Sequence, residues 1–169
     1  VLSEIGLAKA GGRTSFEWKS YDFPKSEHLD SLLKRKGFAL KRESALLFTD
    51  TSFSAETSPE VSVTEIASES DFDRLIEVSH DVFGGDTCWL NQGLRREIVD
   101  RSTLVKAYLS SVEGKVASAA WIKIYSQIGF LFGGGTRREF RGRGAYKALV
   151  SARCAFAKSQ GVPYVVSEC

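Results

Sequence analysis

A strand that runs almost directly into a helix, with glycines and cations packed into the junction, constrains this chain more than any other feature. The run "IGFLFGGGT" (128–136) reads as a strand, and a helical pattern of apolar residues runs from Gly144 to Gln160. Between them stands "RREFRGRGAY", where Arg137, Arg138, Arg141 and Arg143, with Lys147 just beyond, surround Gly142 and Gly144. Four readings fit such a junction: a solvated basic face, a nucleic-acid patch, a dinucleotide loop, or a cradle for the phosphates of a small cofactor.

The rest of the chain is close to neutral, with 23 basic and 21 acidic residues and a net charge of +2. That balance argues against wholesale nucleic-acid binding and makes the local cluster of cations more informative. Apolar residues at 43% and charged residues at 26% are those of a soluble globular protein. At 169 residues the chain suits one ordinary domain, or one with a small appendage. No apolar run reaches the roughly 18 residues of a membrane span, and no secretory signal precedes the domain, so neither a membrane partner nor export is expected. Cys88, Cys154 and Cys169 match no metal-ligand or redox spacing and read as reduced thiols of a cytoplasmic protein, with no metal expected. Methionine is absent even at position 1, and the chain stops at Cys169 within an apparent strand. The natural protein is therefore expected to extend further.

Periodicity orders the elements. "TSFEWKSYDF" alternates like a strand, "SEHLDSLLKRKGF" follows as a helix with Leu29, Leu32 and Leu33 on one face and Gly37 as its stop, and "SALLFTD" returns as a strand. The Ser/Thr-rich run "TSFSAETSPE" reads as a linker, which divides the chain into residues 1–60 and 61–169. The second part opens with the strand "VSVTEI" and a helix from about Ser70 to Phe83, where Ser68 and Asp71 have capping-box spacing. A helix over 89–101 carries Leu90, Leu94 and Ile98 on one face. Strands "LVKAYLSSV" and "KVASAAWIKIY" meet at Glu113 and Gly114 as a tight hairpin. After the junction helix, "VPYVVSEC" is a last strand. The fold expected is α/β, with a mixed, mostly antiparallel central sheet flanked by helices.

A strand leading through Gly142 and Gly144 into a helix exposes backbone N–H groups that have no intrahelical partner, and the helix dipole adds partial positive charge there. Such a place suits phosphate or pyrophosphate, and glycine lets the ligand approach the backbone. The triphosphatase loop G-x-x-x-x-G-K-[ST] is absent. A dinucleotide fingerprint would need glycine or alanine where Lys147 stands. Nucleic-acid binding favours a broader basic stripe with exposed aromatics. The strand before and the helix after weigh against a merely solvated turn.

The stretch "GGGTRREFRGRGAYKALV" resembles the coenzyme A signature [QR]-x-x-G-x-[GA] of the GCN5-related N-acetyltransferases, and the elements from Val61 to Cys169 resemble that family's first through fifth strands. By that resemblance the backbone amides of Arg141, Gly142, Arg143, Gly144, Ala145 and Tyr146 hold the pyrophosphate of acetyl-coenzyme A. Gly134, Gly135 and Thr136 would pair with the pantetheine arm. Two departures stand out: Tyr146 occupies a position that should be Gly or Ala, and the glycines at 134 and 135 replace bulkier apolar residues. The family's domain also continues past its fifth strand, with a helix that often supplies a tyrosine general acid. The N-terminal fifty residues resemble a degenerate β-α-β half-domain, either a diverged repeat or a unit that fills the place of the missing elements and covers the open side of the last strand.

The resemblance implies an N-acetyltransferase that moves the acetyl group of acetyl-coenzyme A to a primary amine of a small molecule, by direct attack in a ternary complex. A homodimer is left open. The other reading is a catalytically silent acetyl-coenzyme A sensor or interaction module. A neutral amine attacks the thioester, a backbone N–H polarises the carbonyl, and a base takes the amine proton. Glu168, at the end of the last strand, is the candidate base. Tyr125 and His80 are weaker candidates, Glu139 is expected to pair with Arg137 or Arg143, and Cys154 to pack. Trp89 is a candidate wall of the acceptor site, and Tyr21 the first general acid to consider in the N-terminal part.

Overall fold

The computed structural model describes residues 2–12, 17–19, 27–40, 44–85, 87, 90–99 and 104–168. By packing, the chain divides into two units, Val1–Glu43 and Ser44–Cys169. The first unit holds helix α1 (Leu2–Ala10), which the periodicity missed, and α2 (Glu27–Arg35). The α2 helix ends as expected: Gly37 has φ +85°, and the N–H of Phe38 reaches back to Leu33 O at 3.1 Å. The strand expected over "TSFEWKSYDF" lies outside the described residues except for Glu17–Lys19, which carry neither helix nor strand.

The second unit is built on one sheet of six strands in the order β1-β6-β5-β4-β3-β2. Its strands are β1 (Leu46–Asp50), β2 (Val61–Glu65), β3 (Val105–Val112), β4 (Lys115–Tyr125), β5 (Ile128–Thr136) and β6 (Tyr164–Glu168). Every neighbouring pair is antiparallel except β5 with β6, which are parallel and joined by the crossover helix α5 (Ala145–Ser159). The mixed, mostly antiparallel sheet read from the sequence is the one observed. Glu113 (φ +51°) and Gly114 (φ +77°) make the β3–β4 hairpin with both central residues in the left-handed region, matching the right-handed twist of the strands.

The division expected near residue 60 is corrected by β1. Leu46–Asp50 pairs along Tyr164–Glu168, so the strand assigned to the N-terminal half-domain completes the sheet of the second unit. The physical reason is the outer edge of β6, whose backbone groups need partners. The linker is likewise pinned. Thr51 donates through its N–H to Pro163 O and through Oγ1 to Val162 O, both at 3.0 Å. The Ala55 N–H donates to Ser151 Oγ at 2.7 Å.

Alternation along the central strands feeds two cores. Ala107, Leu109, Ala119 and Trp121 point to α3 (Glu69–Phe83), whose Phe72, Leu75 and Val78 recur at helical spacing. Tyr108, Ala120, Ile122 and Ile124 point to the other face, against Leu149, Cys154 and Ala157 of α5. Each fully buried Leu or Phe contributes roughly 1.5–3 kcal/mol. Helix α3 starts where Ser68 Oγ accepts the Asp71 N–H at 3.1 Å, as the capping spacing implied. The helix expected over 89–101 is a π turn (Leu90–Leu94) leading into α4 (Arg95–Val99), with Leu90 and Leu94 buried as anticipated. No described helix is long and apolar enough to cross a membrane.

Candidate functional site

The sheet is irregular where the glycines stand. Pairing between β4 and β5 holds register from Tyr125 with Ile128 to Trp121 with Phe132, then resumes at Ala119 with Gly135. One extra residue on β5 makes a bulge. Gly133 absorbs it with φ +60°, and a Cβ there would lie 1.7 Å from the Trp121 ring, so only glycine fits. On its other side β5 pairs with β6 only from Ile128 to Leu131. Among the described residues, the edge from Phe132 to Thr136 has no strand beside it there.

That edge leads through a 3-10 turn (Arg138–Phe140) into Gly142 (φ +78°) and Gly144 (φ +85°), the N-cap of α5. The first backbone donor of the helix to find its acceptor is Ala148, bonded to Gly144 O at 3.0 Å. The N–H groups of Gly142 through Lys147 find none among the described residues. A Cβ on Gly142 or Gly144 would meet open space. The left-handed backbone, rather than crowding by the protein, is what requires glycine at 144.

The cations divide into two groups. Arg137 is a brace: its Nε donates to Asp81 Oδ2 at 2.7 Å and its NH1 to Val116 O at 2.9 Å. Arg143 is held between Glu60 (2.8 Å) and Glu113 (2.7 Å), which raises its own pKa and lowers that of Glu113. These partners replace the expected pairing with Glu139. Arg141 Nε donates to Thr136 O at 3.2 Å, and Arg138 and Lys147 are exposed. The side chain of Arg143 is therefore committed to carboxylates, and its contribution at the turn is a backbone N–H.

The two departures from the family pattern explain each other. The Tyr146 ring lies over Gly134, where an added Cβ would come within 2.4 Å of it. Bulk missing from β5 is thus returned by the helix. Gly135 packs against Val82 and Phe83 of α3, and its carbonyl accepts from Ser118 Oγ, which also lies 2.8 Å from Thr136 Oγ1.

Beside the bulge, an apolar cavity of about 260 Å³ is lined by Ser79, Phe83, Leu90, Trp121, Phe132 and Gly133, among others. Ser79 Oγ is buried there without a hydrogen-bond partner among the described residues. A neighbouring cavity of about 450 Å³ meets Glu77, His80, Asp81 and Arg137, and both cavities reach Thr87. Glu168 stands one residue beyond the last β5–β6 pair and accepts a hydrogen bond from Ser44 Oγ at 2.7 Å. Tyr125 is an exposed strand-end residue in edge contact with Phe130, 5.6 Å between centroids. Cys154 is buried in the α5 core, where burial pushes its thiol pKa up, as befits packing. Trp89, Tyr21, Cys88 and Cys169 lie outside the described residues. Sequence reading missed Arg153, although its place in the stripe Leu149, Arg153, Ala157 was a signal, since a cation is rare among core positions.

No family model matches the sequence, and no curated protein matches it. Solved structures do match the fold. A GCN5-related N-acetyltransferase from Kribbella flavida superposes with TM-score 0.66 at 16% identity, over 85% of this chain and 54% of that one. A structure of AAC(6')-Iy with the bisubstrate analog CoA-S-monomethyl-acetylneamine matches with TM-score 0.58 and 16% identity, over 64% of this chain and 79% of that one. An aminoglycoside acetyltransferase from an uncultured soil metagenomic sample, in complex with trehalose, matches with TM-score 0.55 and 15% identity, over 68% and 80%. The chain spans about half the length of the Kribbella protein. Its fold is that of the GCN5-related N-acetyltransferases.

Proposed function

We propose that this chain is an acetyl-coenzyme A-dependent N-acetyltransferase acting on a primary amine of a small molecule. One observation carries the reading: a helix N-terminus with unaccepted N–H groups from Gly142 to Lys147 adjoins a strand edge, Phe132 to Thr136, that runs past the end of its neighbour. The first offers donors and positive dipole to a pyrophosphate, and the second offers backbone groups to an extended amide-bearing arm. The residues fit the coenzyme, because the space over Gly142 and Gly144 is open.

In this reading Arg141, Gly142, Arg143, Gly144, Ala145 and Tyr146 hold the pyrophosphate through the backbone. Gly134, Gly135 and Thr136 lie along the pantetheine arm. Bound acetyl-coenzyme A supplies the acyl group as a thioester. The neutral amine attacks the carbonyl carbon, so that a C–N bond forms, the C–S bond breaks, and sulfur leaves as the coenzyme thiolate, which takes up a proton from water. Glu168, directly or through water, accepts the proton the amine gives up. What supports Glu168 is its position just past the divergence of β5 from β6.

The apolar cavity beside the bulge is assigned to the body of the acceptor. No carboxylate stands among its described lining residues, and in the adjoining cavity Arg137 pairs with Asp81 and approaches Glu77. A polycation gains little there. Apolar walls disfavour an ammonium and so favour the neutral, nucleophilic amine.

The test is a calorimetric titration of the full chain with coenzyme A, followed by thiol release from acetyl-coenzyme A with 2-phenylethylamine, tyramine, spermidine and neamine. Binding and thiol release with the arylalkylamines are expected. Absence of coenzyme binding by the folded protein would overturn the reading. Binding without thiol release from any amine would support the silent sensor instead.

A further inference from the structure

Arg153 is the largest fully buried side chain in the described chain, with 0% of its surface exposed, and among the described residues no carboxylate pairs with it. Its Nε donates to Leu149 O at 3.0 Å within α5. NH1 reaches Trp121 O at 3.4 Å and Phe132 O at 3.5 Å, while NH2 has no hydrogen-bond partner among the described residues. The guanidinium carbon lies 5.7 Å from the centroid of the Tyr146 ring. Burial pulls its pKa below the ordinary arginine value, and the nearby Tyr146 phenol acts in the opposite direction. A cation in a core without a counter-ion is costly, and an apolar side chain of similar volume would pack there more favourably. Stability alone does not account for it.

The carbonyls it reaches are not arbitrary. Trp121 and Phe132 are the last cross-strand pair before the register shifts at the bulge. Phe132 C=O and Gly133 N–H belong to one peptide unit, and Gly133 is the residue bent to φ +60°. A cation on a peptide oxygen polarises that unit and makes its N–H a stronger donor. Through Tyr146, which covers Gly134, the same guanidinium also touches the start of α5.

We infer that Arg153 is a positioning residue, which holds the bulge and polarises the Phe132–Gly133 peptide so that Gly133 N–H is a strong donor to the acyl carbonyl oxygen of the bound thioester. The inference rests on the reading above for the thioester's place along β5. Arg153 forms and breaks no bond. It strengthens the donor that meets the negative charge gathering on that oxygen as the amine attacks.

The test uses the full chain with Arg153→Met and Arg153→Lys. Arg153→Met should melt at or above the parent temperature, because an unpaired buried charge is replaced by an apolar chain. It should keep its affinity for coenzyme A within about threefold, since the turn at 142–147 is unchanged. Its kcat should fall by about tenfold to a hundredfold with KM for acetyl-coenzyme A unchanged. Arg153→Lys should retain part of the rate at low pH only. A buried lysine loses its proton readily, so its kcat relative to the parent should decline as pH rises. Independently of turnover, the amide proton of Gly133 should move upfield in Arg153→Met, as its donor strength drops. Parent-level kcat in Arg153→Met, or an unmoved Gly133 amide, would overturn the inference. So would a joint loss of stability and coenzyme binding, which marks a purely structural role. If the parent protein itself transfers no acetyl group, the proposed function fails, while the Gly133 amide still decides the role of Arg153.

Discussion

Two arginines ten residues apart on one turn and helix, Arg143 and Arg153, meet opposite fates. Arg143 stands in the motif, half-buried, and is claimed by two carboxylates, Glu60 and Glu113. Arg153 stands in the core, without a carboxylate among the described residues, and gives Nε to Leu149 O of its own helix and NH1 to the two carbonyls that flank the β5 bulge. The contrast teaches that charge near a binding turn need not be charge available to the ligand. At this turn backbone N–H groups, aimed by glycine, are available, and the cation at position 143 beside them fastens the turn to the β3–β4 hairpin. The cation without an acidic partner lies deeper, behind the edge where chemistry is proposed.

The largest effect should come from removing what the turn offers. Gly144→Glu places a carboxylate and its bulk over the N–H groups and should lower coenzyme A affinity by more than about a hundredfold, as read by calorimetry. At φ +85° any L side chain is also strained, by roughly 1–2 kcal/mol. The variant should therefore melt a few degrees lower while staying folded. Near-parent affinity in a folded Gly144→Glu would erase the distinction between backbone and side-chain binding.

Removing the motif cation should do far less. Arg143→Ala should change coenzyme A affinity by no more than about threefold, because the guanidinium is engaged with carboxylates and well solvated. A loss comparable to that of Gly144→Glu would place the guanidinium on the phosphates and undo the contrast. The smallest effect is on acid stability. Glu113 has its pKa lowered by Arg143, so the folded state gains from its charged form. That gain is fully present above the unfolded value near 4.5 and is lost as pH falls through the lowered folded value. Thermal melts of parent and Arg143→Ala should differ slightly at pH 6 and converge toward pH 3.

Much of this was legible in the chain. Alternation through "KVASAAWIKIY" assigned Ala119 and Trp121 to one face and Ala120 and Ile122 to the other, because a buried sheet must sort its side chains with period two. The strand–glycine–helix junction named the turn for the same local reason. What was not legible is non-local. That the N-terminal strand–helix–strand covers "YVVSE" is one of two alternatives the sequence leaves, but nothing within "LLFTD" fixes that pairing or its register, since many partners satisfy an edge strand. The Tyr146 ring over Gly134 joins residues that local patterning treats as two separate anomalies. Local reading offers Arg143 a nearby carboxylate, Glu139, as a partner, because its actual partners Glu60 and Glu113 lie far from it in sequence. Arg153 was visible as a cation in an apolar stripe, but two of its three carbonyl partners come from β4 and β5.

The central claim is that backbone N–H groups of the turn hold the coenzyme's phosphates, and amide spectroscopy addresses it residue by residue. Uniformly nitrogen-labelled full chain would be titrated with coenzyme A and followed in proton–nitrogen correlation spectra. The account predicts the largest downfield amide shifts at Gly142 through Lys147, with a second group along Phe132 to Thr136. Saturable binding whose largest shifts fall elsewhere, with the amides of Gly142 through Lys147 unmoved, would contradict it.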